Sequence, residues 1–413
     1  MLFWAREEFG TYRVDIDVLF GRELIGRGHE IDFVMQAATP DVEPGAHAWC
    51  GRTVYVGRAA GQGTVARFLR HLYVFWHDLR CLRLARADRY DAIQFRDKFL
   101  IAAIGILVAR LRGLKYFYWL SFPYPEDDFL RARTGATRYP LLVRMRGHLA
   151  AWLLYRWILP RATHSFVQSA QMKQDIVARG VAPECMTPVP MGIDLNDIPR
   201  ETRTQDARPD GAFVVGYLGT LTADRHLEVL IDMLAELRNG GAAARLLLIG
   251  DAIERADREA LIERAQALGV ADHLEITGML PRVQALQMIR QVHVAMSPYF
   301  PNPLLLSTSP TKLVEYLALG IPVVASEHPE QRAILRVTRA GVCAPWGSRH
   351  FARSVRWLMG RSGEELKSMG ERGQSWVREH RTYKRIADDL EQQYTELLFS
   401  SPDRRNRGMI VDG

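Results

Sequence analysis

The chain has 413 residues, a formal net charge of +7, 48% apolar residues and 24% charged residues. This length exceeds one typical core, so two domains are expected, and the composition excludes an intrinsically disordered chain. The four cysteines have no C-x-x-C spacing, which favours a reducing, cytoplasmic compartment and argues against a structural zinc site. The longest apolar runs are shorter than the roughly 20 residues that a membrane span requires.

The positive charge is concentrated in the first half of the chain. Residues 1–200 contain 27 Lys+Arg and 20 Asp+Glu, and the stretch 129–174 contains eight basic residues and no acidic one. Trp152, Tyr155 and Trp157 lie in that stretch, and aromatic residues beside arginines are typical of a membrane interface. Because no nucleic-acid motif is present, an anionic membrane surface is the predicted partner. The alternative is a solvated basic face on a helix that covers the sheet.

The first half alternates strand and helix patterns. The predicted strands are Met1–Trp4, Glu30–Met35, Thr53–Gly57, Ala92–Phe95, Lys115–Ser121 and His164–Ser169, and the predicted helices are Tyr12–Gly26, Thr64–Ala87, Phe99–Arg112, Tyr139–Leu159 and Met172–Arg179. Such alternation predicts a parallel sheet, with ligands beyond the carboxyl ends of its strands. Asp97 falls at one of these ends, either as an active-site residue or as an N-cap.

The second half alternates in the same way. Its predicted strands are Val214–Gly219, Arg245–Gly250, Leu274–Gly278, Val292–Ser297, Pro322–Ser326 and Gly341–Ala344. We therefore expect two doubly wound domains. The predicted organisation is an N-terminal domain (1–195), a linker (196–211), a C-terminal domain (212–380), a helix returning to the N-terminal domain (381–400) and a disordered tail (401–413).

Residues 309–326 combine a helix with a following strand. Ser309 is a candidate N-cap, and Pro310 suits the first helical position. Gly320 suits the position just beyond the helix end. The apolar residues that follow indicate a short buried strand.

This helix start predicts a nucleotide-diphosphate site. Its free N–H groups and the ammonium of Lys312 favour an anion. Glu315 lies one turn further on, on the face of Thr311, where its carboxylate can accept hydrogen bonds from sugar hydroxyls. The alternative is an ordinary helix–strand unit with a surface lysine and glutamate.

The sequence S-P-T-K-L-V-E-Y-L-A-L-G-I-P-V-V-A-S over residues 309–326 closely resembles the donor-binding signature of glycosyltransferase family 4, whose members are retaining enzymes with the GT-B fold. The resemblance implies two Rossmann-like doubly wound α/β domains facing a central cleft. It implies that Lys312 and Arg225 stabilise the departing diphosphate and that Glu315 holds the ribose. Many members place a histidine beside the reacting sugar; here Asp97 is the nearest polar substitute for that catalytic position.

The resemblance also implies a donor-binding set along the second half. These residues are Gly219, Thr220, Gly250, Asp251, Gly278, Ser297, Ser307, Ser309, Pro310, Thr311 and Leu313. Thr220 replaces a frequent basic residue, and Ser307 replaces a frequent glutamate that contacts the transferred sugar. The family's sugar preference therefore does not carry over. The cations Lys312 and Arg225 are expected to take the place of a metal ion at the diphosphate, so neither a metal ion nor a cofactor is expected.

These features predict a hexosyltransferase that moves a sugar from a nucleotide-diphospho-sugar to a polysaccharide or glycolipid acceptor. We expect it to act in cell-surface polysaccharide biosynthesis, peripherally at the inner face of the cell membrane. Two alternatives remain open, a GT-B sugar-nucleotide epimerase and a catalytically silent GT-B scaffold of a polysaccharide assembly complex. The missing histidine and Ser307 favour the scaffold, whereas the intact set of Arg225, Lys312 and Glu315 opposes it.

Overall fold

The structure, a computed structural model, describes residues 1–59, 64–199 and 211–399, with only the backbone for 64–70. It divides into two compact units. The first unit is Met1–Pro190 with the chain from Tyr383 onward, and the second is Met191–Thr382. Most of the predicted linker (196–211) and the predicted tail (401–413) lie outside the described residues.

The first unit is built on an eight-stranded sheet. Its strands are β1 (Leu2–Phe9), β2 (Asp32–Ala37), β3 (Gly45–Trp49), β4 (Arg52–Gly57), β5 (Ala92–Arg96), β6 (Lys115–Leu120), β7 (His164–Val167) and β8 (Met186–Pro188). Their order is β3-β4-β2-β1-β5-β6-β7-β8, and every pair is parallel except β3 with β4. The predicted parallel sheet is confirmed. The edge strands β3 and β8 were not predicted, because their short, mixed sequences lack a buried apolar run.

The first strand is longer than predicted. It continues past Trp4 to Phe9, although Arg6, Glu7 and Glu8 are charged. Glu7 can remain in the strand because its carboxylate lies 3.0 Å from the guanidinium of the fully buried Arg96. An ion pair at the carboxyl end of the strand thus supports residues that hydropathy alone assigns to a loop.

The helices of the first unit cover this sheet. They are a π-helical segment (Asp15–Leu24), α1 (Thr64–Cys81), α2 (Leu100–Arg112), α3 (Tyr124–Thr134), α4 (Pro140–Trp152), a second π-helical segment (Leu153–Ile158) and α5 (Ala170–Val177). The predicted single helix Tyr139–Leu159 is therefore two segments with different hydrogen bonding. No helix in the described part of the chain is both long and apolar enough to cross a membrane.

The second unit has a six-stranded, fully parallel sheet. Its strands are β9 (Phe213–Leu218), β10 (Ala244–Ile249), β11 (Leu274–Ile276), β12 (Val294–Ser297), β13 (Val323–Ser326) and β14 (Gly341–Ala344). The order is β11-β10-β9-β12-β13-β14. Successive strands are added on one side of β9 as far as β11, and this direction reverses at β12, which lies on the other side of β9. Ligands of doubly wound sheets bind beside such a reversal. All six strands were predicted.

The helices of the second unit separate its strands. They are α6 (Glu228–Asn239), α7 (Arg255–Ala267), α8 (Arg282–Ile289), α9 (Pro303–Leu306), α10 (Thr311–Ala318), α11 (Pro329–Thr338), α12 (Ser348–Met359) and α13 (Gly363–His380). Buried apolar side chains form two clusters, and each cluster contains residues from several strands of the sheet. This is the two-sided core expected when helices cover both faces of a parallel sheet.

The last helix, α14 (Tyr383–Phe399), belongs to the first unit. Arg27 donates to Asp388 at 2.6 Å and to Glu391 at 3.0 Å, and His29 lies 2.9 Å from Glu391. The turn around Gly28 therefore has a structural role, because its polar side chains fasten the C-terminal helix.

Candidate active site

The start of α10 differs from the prediction at Ser309. Its hydroxyl does not cap the helix but accepts from the Met191 N–H at 3.0 Å and donates to Glu330 at 2.9 Å. Glu330 also forms an ion pair with Arg381, so Ser309 completes a buried polar cluster. The helix begins at Thr311 without a side-chain cap in the described structure. Its first N–H groups thus keep their capacity to bind an anion.

The end of α10 follows the prediction. Gly320 has a φ of +71°, and the Ile321 N–H donates back to the Tyr316 carbonyl at 3.0 Å. This is the left-handed termination that favours glycine. It turns the chain directly into β13, the strand that pairs with β12.

Lys312 lies over the loop that follows β9. A Cβ added at Gly219 would be 2.6 Å from the Lys312 ammonium, and this ammonium lies 5.4 Å from the ring centroid of Tyr217. Burial lowers the Lys312 pKa to about 8; the nearby charge of Arg225 also lowers it, and Glu315 opposes the shift. The structure therefore brings Lys312, Arg225 and Glu315 together.

Thr220 positions Arg225. The guanidinium Nε donates to the Thr220 hydroxyl at 2.8 Å. Arg225 ends a short helical turn, and His226 after it adopts a left-handed φ of +52°. The threonine that departs from the family pattern thus orients the neighbouring cation instead of supplying a second one. Sequence reasoning missed this role.

Glu315 has a partner that the sequence analysis did not identify. Arg282, the first residue of α8, donates to the Glu315 carboxylate at 3.2 Å and lies 3.4 Å from Asp197. Only the preceding Pro281, a common helix-start signal, marks this position in the sequence. Arg282 holds the carboxylate in place beside the lysine.

Three predicted glycines shape the same edge of the sheet. Gly250 has a φ of +138°, and a Cβ there would lie 2.1 Å from the Gly219 carbonyl oxygen. Gly250 and Gly278 form a β-bridge. Asp251 pairs with Arg258 at 3.1 Å, so its carboxylate braces the loop. A side chain at Gly219 or Gly250 would disturb the packing of Lys312 over the loop after β9, and Gly278 has a φ of +76°, which favours glycine.

Other predicted donor-binding residues are buried. Ser297 is fully buried and hydrogen-bonds Gln331, and Ser307 is 3% exposed. Leu313 is a core residue of the second unit. Its side chain packs inward, which leaves only its backbone to reach a ligand. Pro310 and Thr311 remain at the helix start beside Lys312.

Asp97 lies in the first unit, at the end of β5. Its carboxylate accepts from the Ser121 N–H at 2.9 Å and from the Ser121 hydroxyl, and its backbone has a φ of +54°. Burial raises the Asp97 pKa to about 6, although Arg96 opposes this shift. The carboxylate is fully buried, and its hydrogen bonds with Ser121 join the ends of β5 and β6. This geometry differs from that of a base exposed to substrate.

Two family models match the chain in succession. "Glycosyltransferase Family 4" matches residues 18–197, and "Glycosyl transferases group 1" matches residues 199–376. Together they cover both units, so the chain belongs to glycosyltransferase family 4 and to the enzyme class of glycosyltransferases.

Curated and solved proteins agree with this assignment. A GDP-mannose-dependent alpha-mannosyltransferase of Mycobacterium tuberculosis is 24% identical over 65% of this chain, and the match spans 64% of that relative's length. A sucrose-phosphate synthase of Thermosynechococcus elongatus has a TM-score of 0.72 at 16% identity, covering 97% of this chain and all of that one. Anabaena HepE, solved with UDP and glucose, has a TM-score of 0.67 at 15% identity, covering 96% and 100%. These similarities confirm the GT-B fold.

Replacing Glu315 with alanine should weaken nucleotide-diphosphate binding. Each charge-assisted hydrogen bond to a ribose diol contributes about 1.5–3 kcal/mol, so affinity should fall at least about tenfold. Calorimetric titration with UDP and GDP measures this. Glu327→Ala is the matched control, since that carboxylate is exposed and pairs only locally with Arg332. Unchanged affinity in a folded Glu315→Ala protein would remove the ribose assignment.

Nucleotide-diphosphate affinity should fall as pH rises from 7 to 9. With a pKa near 8, Lys312 is mostly charged at pH 7 and mostly neutral at pH 9, and only the charged form attracts phosphate. Lys312→Arg should bind with much weaker pH dependence, because arginine stays charged. The ligand's own titration is common to both proteins. Equal pH profiles would show that Lys312 does not carry the effect.

Proposed function

We propose that the protein is a retaining glycosyltransferase that transfers a sugar from a nucleotide-diphospho-sugar to a polysaccharide or glycolipid acceptor. The observation that carries this proposal is the grouping of Lys312, Arg225 and Glu315 beside the uncapped start of α10. Two cations and free N–H groups suit a diphosphate, and the carboxylate suits a ribose. We further propose a role in cell-surface polysaccharide biosynthesis.

The proposed mechanism needs no dedicated protein base. The acceptor hydroxyl attacks the anomeric carbon on the face from which the diphosphate leaves, and a phosphate oxygen takes the proton. Arg225 and Lys312 stabilise the charge that grows on this oxygen, as preorganised electrostatic groups. Thr220 fixes the Arg225 guanidinium before the reaction, so less reorganisation is required.

Asp97 is proposed as a positioning residue in this reaction. Its carboxylate holds both polar groups of Ser121 at the carboxyl end of β6. In parallel sheets this edge is where ligands bind. Asp97 then acts by fixing the backbone at this edge, since its carboxylate and Ser121 are both buried.

The donor is proposed to be a uridine- or guanosine-diphospho-sugar. The curated relative is named for GDP-mannose, and the HepE structure contains UDP and glucose. Ser307 leaves the sugar preference open, because the glutamate common at this position is absent. UDP-glucose and GDP-mannose are therefore the first donors to test.

Arg225→Ala should lower kcat more than it raises KM, because negative charge on the leaving group grows during bond cleavage. Removing one such donor lowers kcat by about 10²–10³. Release of UDP or GDP from the two donors, with the anomeric configuration of the product read by NMR, tests both parts of the proposal. Arg255→Ala, at an arginine 91% exposed in the same unit, is the control. An inverted product, or a change in KM alone, would contradict the mechanism.

We also propose peripheral attachment to the inner face of the cell membrane through α4. Leu141, Leu142 and Met145 are between 64% and 74% exposed, and Arg144 lies among them. This surface combines apolar area with positive charge, which suits an anionic leaflet.

Only part of the basic, aromatic stretch that was predicted to contact a membrane is exposed. Tyr155 is buried and donates to Glu126, and the Trp157 indole donates to the Ala103 carbonyl, so of the three aromatic residues only Trp152 is exposed. Asp128 pairs with Arg146 and neutralises part of the basic stretch.

Replacing Leu141, Leu142 and Met145 with glutamine should reduce co-sedimentation with anionic vesicles and remove its salt-resistant part. Arg144→Gln should reduce only the salt-sensitive part, by about 1 kcal/mol. Val337→Gln, at a valine 70% exposed in the second unit, is the control. Equal, low sedimentation of the unmodified protein with anionic and neutral vesicles would show that α4 is an ordinary solvated helix.

A further inference from the structure

The first unit contains a cavity of about 500 Å³ between its helices and the carboxyl ends of its strands. The apolar part of its lining comes mainly from three helices. Val74 and Phe75 belong to α1, Leu100 and Ile101 to α2, and Leu149 and Ala150 to α4. The volume is in the range of small-molecule sites.

One end of the cavity is polar. Gln36 of β2 lines it and is only 7% exposed, yet neither its amide oxygen nor its amide nitrogen has a hydrogen-bond partner among the described residues. The amide packs closely over Gly57, where a Cβ would lie 2.2 Å from the Gln36 oxygen. Buried amides are normally hydrogen-bonded, so this orphaned pair of a donor and an acceptor indicates a ligand.

The charges at this end favour a neutral ligand group. Lys98 lines the cavity, but its ammonium lies 2.8 Å from both carboxylate oxygens of Asp78. Arg6 and Glu8 add one charge of each sign, Asp97 adds a buried carboxyl group, and the guanidinium of Arg146 is paired with Asp128. A phosphate would find little net positive charge here, whereas a sugar hydroxyl can both donate to and accept from the Gln36 amide.

The mouth of the cavity is accessible. Leu100 and Leu149 line it and are 56% and 52% exposed. Leu149 is on α4, the helix that also exposes Leu142 and Met145. A hydrocarbon chain can thus pass from this apolar surface into the cavity beside Arg146, whose guanidinium is paired with Asp128.

We infer that the cavity binds the hydrocarbon chain of a glycolipid acceptor, with a sugar hydroxyl on Gln36. This inference rests on the proposed function for the ligand's role as acceptor, and it selects the glycolipid over the polysaccharide. An amphiphile fits both halves of the cavity, since its chain is bound by α1, α2 and α4 and its hydroxyl satisfies the buried amide.

Binding of hexyl, octyl and decyl β-glucosides to the full chain, each below its critical micelle concentration, tests the inference. Each further buried methylene should raise affinity by up to about fourfold until the cavity is full. Octyl glucoside should bind more tightly than octyl phosphate. Gln36→Leu should reduce the preference for octyl glucoside over octanol, because it removes the hydrogen-bonding amide.

Variants that change the volume of the cavity test whether the glucosides bind inside it. Val74→Phe and Ala150→Phe fill the cavity from opposite walls and should each lower octyl glucoside affinity at least tenfold. Leu107→Phe, at an exposed leucine of α2 outside the lining, should leave it unchanged. Phe75→Ala enlarges the cavity and should shift the best chain toward decyl, a gain that misfolding cannot produce.

Affinity independent of chain length, or unchanged by both filling variants, would overturn the inference; tighter binding of octyl phosphate would overturn the sugar assignment. UDP and GDP titrations on the same preparations separate this result from the proposed function. Nucleotide binding without glucoside binding rejects the cavity inference alone. Chain-length-dependent glucoside binding without nucleotide binding supports the lipid site and rejects the proposed uridine- or guanosine-diphospho-sugar donor.

Discussion

The close approach of the Lys312 ammonium to the backbone of Gly219 is the contact on which the second unit's site depends. Two glycines make it possible, because a side chain at Gly219 would displace the ammonium and one at Gly250 would displace the Gly219 carbonyl. The approach desolvates the lysine and lowers its pKa to about 8. A partly desolvated cation that still carries its charge near neutral pH attracts phosphate more strongly than one in bulk water. The packing of Lys312 against Gly219 and the lowered pKa of this lysine are thus consequences of the same contact.

The first unit is organised around another buried cation. Arg96 is fully buried and pairs with Asp15 at 2.5 Å and with Glu7 at 3.0 Å. These contacts join β1, β5 and the first helical segment at the carboxyl edge of the sheet. Removing one partner would leave an uncompensated buried charge, which typically costs about 3–5 kcal/mol. The cluster therefore fixes the backbone beside Asp97, whose positive φ requires such support.

The sequence predicted most of the fold, because buried parallel strands are continuous apolar runs bounded by glycine or polar residues. It failed where tertiary contacts replaced local signals. Hydropathy ended the first strand at Trp4, whereas the ion pair of Glu7 extends it to Phe9. Ser309 has the side chain of an N-cap, but Met191 and Glu330 occupy its hydroxyl. Arg282 has no local signature, since its contact with Glu315 joins residues 33 positions apart.

The same limit explains why Gln36 was overlooked. In sequence it is a polar residue near the end of an apolar strand, a position that commonly faces solvent. Only the fold shows that Gly57 and the helices enclose it and leave its amide without a described partner. An unsatisfied buried amide costs about 1–3 kcal/mol, so a leucine at position 36 would raise the free energy of unfolding of the protein without a ligand. The glutamine is therefore better explained by what the cavity binds than by the stability of the fold, as is common where a local rule of folding is broken at a functional site.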